Sequence, residues 1–118
     1  MLISVTDDRW LGHCKDDPVR PHLPVAWRIQ NGREVFALFE DQYAEAAPVV
    51  MEGPRAIICV AYTHGVAITE QDLENTASPN TAMFYTVWSY DRGAGREIVQ
   101  TTARHIRHTR PEILRYVT

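Results

Sequence analysis

The sequence predicts an α+β fold, a mostly antiparallel sheet that ends in one β-turn-helix-β unit. Three observations carry the prediction. Two strongly β-prone runs occupy residues 55–63 and 81–90. The one long amphipathic helical pattern, residues 96–108, follows the second run after a Gly-x-Gly turn. A last β-prone segment covers residues 112–118. A strand-helix-strand crossover is right-handed in nearly every known case, so the last strand is expected parallel to residues 81–90.

Each element has its own local reason. Residues 2–6 are a short β-prone run. Residues 7–15 suit one or two helical turns, with Asp7 or Asp8 as N-cap. Pro18, Pro21 and Pro24 make residues 16–24 an irregular extended loop. Residues 25–30 alternate apolar and polar side chains, Asn31-Gly32 follows, and residues 33–40 are rich in Val, Phe and Leu. Asn-Gly between two such runs predicts a hairpin, because both turn residues tolerate positive φ. Residues 41–47 have helix-forming composition, and Pro48 stops them. The run 55–63 is apolar on both faces, as a central strand is. Residues 70–75 suit a turn of helix capped by Thr69, and Ser78-Pro79-Asn80 reads as a loop. Within 96–108, Ile98, Thr102 and Ile106 recur every fourth residue, and Val99 and Ala103 widen the stripe. Pro111 ends that helix.

Length and composition bound the function. The chain has 118 residues, a single-domain length, and is 45% hydrophobic, enough for a core. Its net charge of −3 argues against a general nucleic-acid binder. The charge is uneven, since Arg92, Arg96, Arg104, Arg107, Arg110 and Arg115 make the last quarter locally basic. Two cysteines, Cys14 and Cys59, allow one bridge but no disulfide framework. No apolar run approaches the ~20 residues that span a bilayer. The first residues lack a basic segment followed by an apolar one, so no signal peptide is expected. A reducing, cytoplasmic setting follows as the expectation.

The chemistry concentrates at the turn after residues 81–90. A strand feeding a glycine-rich turn at a helix start presents unpaired N–H groups and the positive end of the helix dipole, which suits a phosphate. A dinucleotide-binding fingerprint would need a third glycine, but position 98 is Ile98, and no Gly-Lys-Ser/Thr occurs for a Walker loop. Other clusters read as structural. His105 and His108 share a helix face but lack evident carboxylate partners, so no metal site is expected. His13, Cys14 and His22 read as incidental loop residues and Cys59 as core. Trp10, Trp27, Trp88, Tyr85 and Tyr90 read as core packing rather than a base-stacking surface.

The segment Val87-Trp88-Ser89-Tyr90-Asp91, then Arg92-Gly93-Ala94-Gly95-Arg96-Glu97, then a helix through Ile98, resembles the core motif of the GCN5-related N-acetyltransferase (GNAT) superfamily. That motif is a strand ending Val-x-Pro-x-x, then Arg/Gln-x-x-Gly-x-Gly/Ala and an amphipathic helix. Here Ser89 stands where proline is usual and Glu97 where glycine or alanine is usual. The resemblance covers roughly residues 25–118. The wording of residues 1–22 and 84–118 is also similar to small GNAT-like proteins of marine cyanophages.

The resemblance implies a single GNAT-like domain over residues 1–118 that binds acetyl-CoA as cosubstrate and transfers its acetyl group to an amine of a small molecule or protein. Arg92, Gly93, Ala94, Gly95, Arg96 and Glu97 would hold the pyrophosphate, with the backbone of Val87 and Trp88 facing the thioester. The Glu97 carboxylate would either repel that pyrophosphate or face away. Candidate bases are Glu40, Asp41, His64, Tyr85 and Ser89, and no metal is implied. The family's following helix and terminal hairpin are expected to be missing after Thr118. Residues 112–117 would then be an edge strand, covered by a second copy in a homodimer or left exposed near Leu114, Tyr116 and Val117. A non-catalytic interaction or dimerisation module is the alternative, and an unrelated α+β dimer in which the turn is only a turn is a third. No nucleic-acid or membrane partner is expected.

Overall fold

The computed structural model describes residues 1–40 and 53–118. The helix expected over 41–47, and Asp41 with it, lie outside the described residues. Five strands form one sheet in the order β1 (Leu2–Ser4), β2 (Arg33–Leu38), β3 (Ala56–Thr63), β4 (Thr81–Ser89), β5 (Arg115–Val117). The first three pairings are antiparallel and the last is parallel. This is the mostly antiparallel α+β sheet with a closing crossover that the sequence predicts. Strand β3 is buried at every position. Both faces of the sheet are therefore covered, which explains a strand with no polar alternation.

The long helix α3 (Ala94–Thr109) covers one face. Its buried residues Ala94, Ile98, Thr102 and Ile106 are the predicted stripe extended by one turn, packed with Phe36, Ile58, Val60 and Phe84. Burying an Ile or Phe side chain is worth about 1.5–3 kcal/mol, so this stripe fixes the helix on the sheet. Glu97 in the first turn and Arg107 and His108 in the last also suit the helix dipole.

Short irregular segments cover the other face. Helix α1 (Asp8–Leu11) is capped by Asp7, whose carboxylate accepts from the Arg9 N–H, and a 3₁₀ turn (Gly12–Asp16) continues it. Helix α2 (Val25–Arg28) follows the proline-rich loop, and a 3₁₀ turn (Gln71–Glu74) precedes β4. The expected turn is present, but Glu70 rather than Thr69 holds the N-cap position; the Thr69 hydroxyl, one residue earlier, accepts from the Asp72 N–H at 3.2 Å.

The hairpin expected across Asn31-Gly32 does not form. Residues 25–28 make a turn of helix, and β2 pairs with β1 and β3 instead. The alternation of 25–30 is inverted as well, since Arg28 is fully buried while Val25 and Ile29 are exposed. A buried ion pair overrides the apolar pattern here. Arg28 Nη1 donates to Asp17 Oδ2 at 2.8 Å, and neither side chain has any exposed surface. Pro24 supplies an extended residue at the helix start. Gly32 is needed where it stands: its φ is +90°, and a Cβ there would meet Thr76 at 2.5 Å.

Strand β4 carries an irregularity. Cys59 faces Thr86 while Val60 faces Phe84, so Tyr85 is an extra residue, a β-bulge. Strand β5 pairs with β4 only over Thr81, Ala82 and Met83. Beyond Met83, β4 has no strand on that side among the described residues.

Candidate functional site

The turn between β4 and α3 is built by a few backbone bonds. The Tyr90 N–H donates to the Arg55 carbonyl at 2.8 Å, and the Ala94 N–H donates to Asp91 O at 3.2 Å. Gly93 adopts φ +81°, a left-handed conformation that glycine reaches without strain. The Glu97 N–H donates to Gly93 O at 3.2 Å. Two first-turn groups, the N–H of Gly95 and of Arg96, have no acceptor among the described residues. They point the way unpaired helix N-termini do, along the positive end of the dipole.

The two glycines differ in what requires them. Gly93 is required by its backbone conformation. Gly95 has no such φ, and a Cβ there would meet only the Ser89 side chain at 3.8 Å, an ordinary contact. The fold itself does not demand glycine at 95.

Glu97 does not face the open N–H groups. Its carboxylate accepts from Arg55 Nη1 at 3.1 and 3.2 Å, and Asp91 accepts from Arg55 Nε at 2.9 Å. Arg55 thus clasps the loop to the helix, and its pKa is raised, chiefly by the hydrogen bond to Asp91. Of the two outcomes the sequence left open for Glu97, the structure shows the carboxylate engaged elsewhere. Arg92 and Arg96 are exposed and carry no ion pair among the described residues. Sequence reasoning missed Arg55. Its signal was two acids, Asp91 and Glu97, bracketing an anion-type turn and needing a shared cation.

Val87 is half-buried and Trp88 buried. The Trp88 indole N–H donates to the Tyr90 hydroxyl at 3.0 Å, and that hydroxyl donates to Asp16 at 2.7 Å. Burial, then the bond to Asp16, pushes the Tyr90 pKa up to about 12. The end of β4 is therefore locked by side-chain bonds on the face away from α3.

The candidate bases are scattered. Ser89 is exposed at the end of β4 beside Gly95. Glu40 is exposed just past β2, at the same end of the sheet, because Leu38 faces Ala56 and Ala56 faces Ser89. His64 lies at the opposite end, beyond the Thr63–Thr81 pair, with Nδ1 3.0 Å from Ser78 O. Tyr85 sits mid-strand at the bulge. Its hydroxyl is buried without a hydrogen-bond partner among the described residues, and burial raises its pKa strongly. His105 is exposed with its ring against Phe36, and no cluster of three metal-ligating side chains occurs among the described residues. Cys14, read as incidental, is buried core, and both cysteines are free thiols. No helix among the described residues is long and apolar enough to cross a membrane.

No protein-family model matches the chain, and no curated protein is similar to it in sequence. Solved structures do share its fold. The crystal structure of malonyl-CoA decarboxylase from Agrobacterium vitis superposes with a TM-score of 0.77 at 17% identity, over 98% of this chain and 32% of that one. Malonyl-CoA decarboxylases from Rhodopseudomonas palustris (0.68, 15% identity, 98% and 30%) and Cupriavidus metallidurans (0.66, 17%, 98% and 29%) share it too. The chain thus has the fold of a segment of these enzymes and spans about a third of their length.

Proposed function

We propose that this chain binds a CoA thioester at the β4–α3 turn, with the pyrophosphate on the N–H groups of Gly95 and Arg96 and the Arg92 and Arg96 side chains beside it. The observation that carries the reading is Gly95, a glycine that the fold does not require at the one place where a phosphate would approach the backbone. Two further facts support it. Glu97 is paired with Arg55, which it shares with Asp91, rather than aimed at the anion, and the enzymes that share the fold act on malonyl-CoA by name. The finer reading, in keeping with the GNAT resemblance, is acyl transfer to an amine. The thioester would lie along the free edge of β4 near Val87 and Trp88, and catalysis would rest on positioning and on a backbone N–H polarising the carbonyl.

Thermal shift with CoA and acetyl-CoA tests the binding. At a hundredfold excess over Kd a single site stabilises by about 2.7 kcal/mol. Gly95→Val is expected to remove that shift without unfolding the protein. An unchanged melting temperature at millimolar CoA sinks the reading, and binding retained in Gly95→Val moves the site elsewhere.

The separation of His64 from Glu40 and Ser89 favours a second reading, a CoA-type fold that binds without catalysing, in which two copies pair along β5. Leu114, just before β5, is 81% exposed. Sedimentation that finds only monomer at high micromolar concentration removes the paired form.

A further inference from the structure

A cavity opens where β5 leaves β4, on the face away from α3. It holds about 150 Å³, is floored by Leu73, Met83 and Tyr85, and is rimmed by Arg20 and Thr69. Arg20 is held in place from several directions. Its backbone N–H donates to Asp17 Oδ1 at 2.9 Å, its Nε donates to the carbonyl of the bulge residue Tyr85 at 3.2 Å, and its Nη1 donates to Glu70 at 2.7 Å. Its Nη2 has no partner among the described residues. The loop bonds and the bulge therefore fix a guanidinium at Tyr85, two residues before the Val87–Trp88 stretch proposed for the thioester, with Nη2 unused among the described residues.

A plain alkyl chain would strand that guanidinium against apolar atoms, and a long chain would not fit. A short acyl group ending in a carboxylate matches both features: its methylenes meet Leu73 and Met83, and its carboxylate meets Arg20. Glu70, the acid paired with the Arg20 guanidinium, is shared with His22, whose Nε2 lies 2.8 Å from the other carboxylate oxygen. We propose that this cavity takes the acyl end of a short dicarboxylic thioester, of the malonyl or succinyl class, with Arg20 as the residue that selects it. The proposal rests on the CoA reading above and names its donor.

Propionyl-CoA and malonyl-CoA differ by a methyl against a carboxylate, so calorimetric titration of CoA, propionyl-CoA and malonyl-CoA provides the test. A hydrogen bond to a charged group predicts malonyl-CoA at least about tenfold tighter than propionyl-CoA. Arg20→Gln is expected to erase that ratio while CoA binds as before, and Arg20→Lys to restore part of it. Glu70→Gln, which leaves Arg20 in place and frees it from its acid, is expected to raise the ratio severalfold. Equal or tighter propionyl-CoA binding overturns the proposal and leaves the CoA reading intact, as does a ratio that survives Arg20→Gln or fails to rise in Glu70→Gln. Loss of all three ligands from the unmodified protein overturns both.

Discussion

The two faces of the sheet are covered by opposite means. On one, a single 16-residue helix lays down an apolar stripe every fourth residue. On the other, residues 5–28 cross the sheet in short turns and a proline-rich loop, held by a fully buried ion pair. Arg28 donates there to Asp17, to the carbonyls of Arg20 and Leu23, and to the Cys59 sulfur. Asp17 in turn accepts from the N–H groups of Val19 and Arg20 and from the Thr86 hydroxyl. A periodic helix can be fixed by area alone, because its backbone satisfies itself. An irregular segment carries backbone groups that need partners, and one guanidinium and one carboxylate supply many of them at once. The second arrangement concentrates its stability in two residues, where the first spreads it over many.

That contrast is broken most directly by Arg28→Met. The substitution keeps volume but leaves the Asp17 carboxylate buried without its counterion, and we expect a loss of about 3–5 kcal/mol in urea unfolding. Adding Asp17→Asn is expected to recover part of it. A loss below 1 kcal/mol would mean that the loop is held by other contacts.

Acid gives a gentler form of the same experiment. Burial works to raise the Asp17 pKa, but the bonds from the Arg20 N–H, Arg28, the Val19 N–H and Thr86 outweigh it, and the pKa lies below its ordinary value of 3.8. A depressed carboxylate contributes stability that is whole above the unfolded pKa and is lost as pH falls through the folded one. Denaturation midpoints are therefore expected to drop below pH 4, and to drop less steeply in Asp17→Asn. Parallel slopes in the two proteins would place the acid sensitivity elsewhere.

The helical face predicts a smaller and more ordinary response. Ile98→Val removes one methylene from a closed apolar layer, so about 0.5–1.5 kcal/mol is expected. The helix should remain docked, because Ile106 and Ala94 still hold it.

The same contrast explains what could be read from the sequence. Helix α3, the crossover, the parallel last strand and the central β3 were legible, because each follows from periodicity or from an unbroken apolar run. The face built on Arg28 was not. Residues 25–30 alternate like a strand, and nothing local says that the arginine in that pattern turns inward to meet an acid 11 positions earlier. The β-bulge at Tyr85 was likewise hidden, since it depends on the register with β3 and leaves the β-prone run unbroken. The site itself divides the same way. Its turn was visible as a motif, whereas Arg55, which clasps that turn from another segment, was not.

The smallest expected effect on stability separates structure from function most sharply, and it falls at the junction of the two faces. Gly95→Ala adds a Cβ that meets Ser89 at an ordinary 3.8 Å. Alanine outranks glycine in helices by up to about 1 kcal/mol, less in a first turn, so the variant should be as stable as the parent or stabler by a few tenths. The same methyl group stands where a phosphate would approach the Gly95 and Arg96 N–H groups. A glycine kept for the fold would make the variant less stable with ligand binding unchanged. One kept for a ligand predicts the reverse, a melting temperature equal or higher and a weaker response to CoA. Running both measurements on one protein sample decides between them.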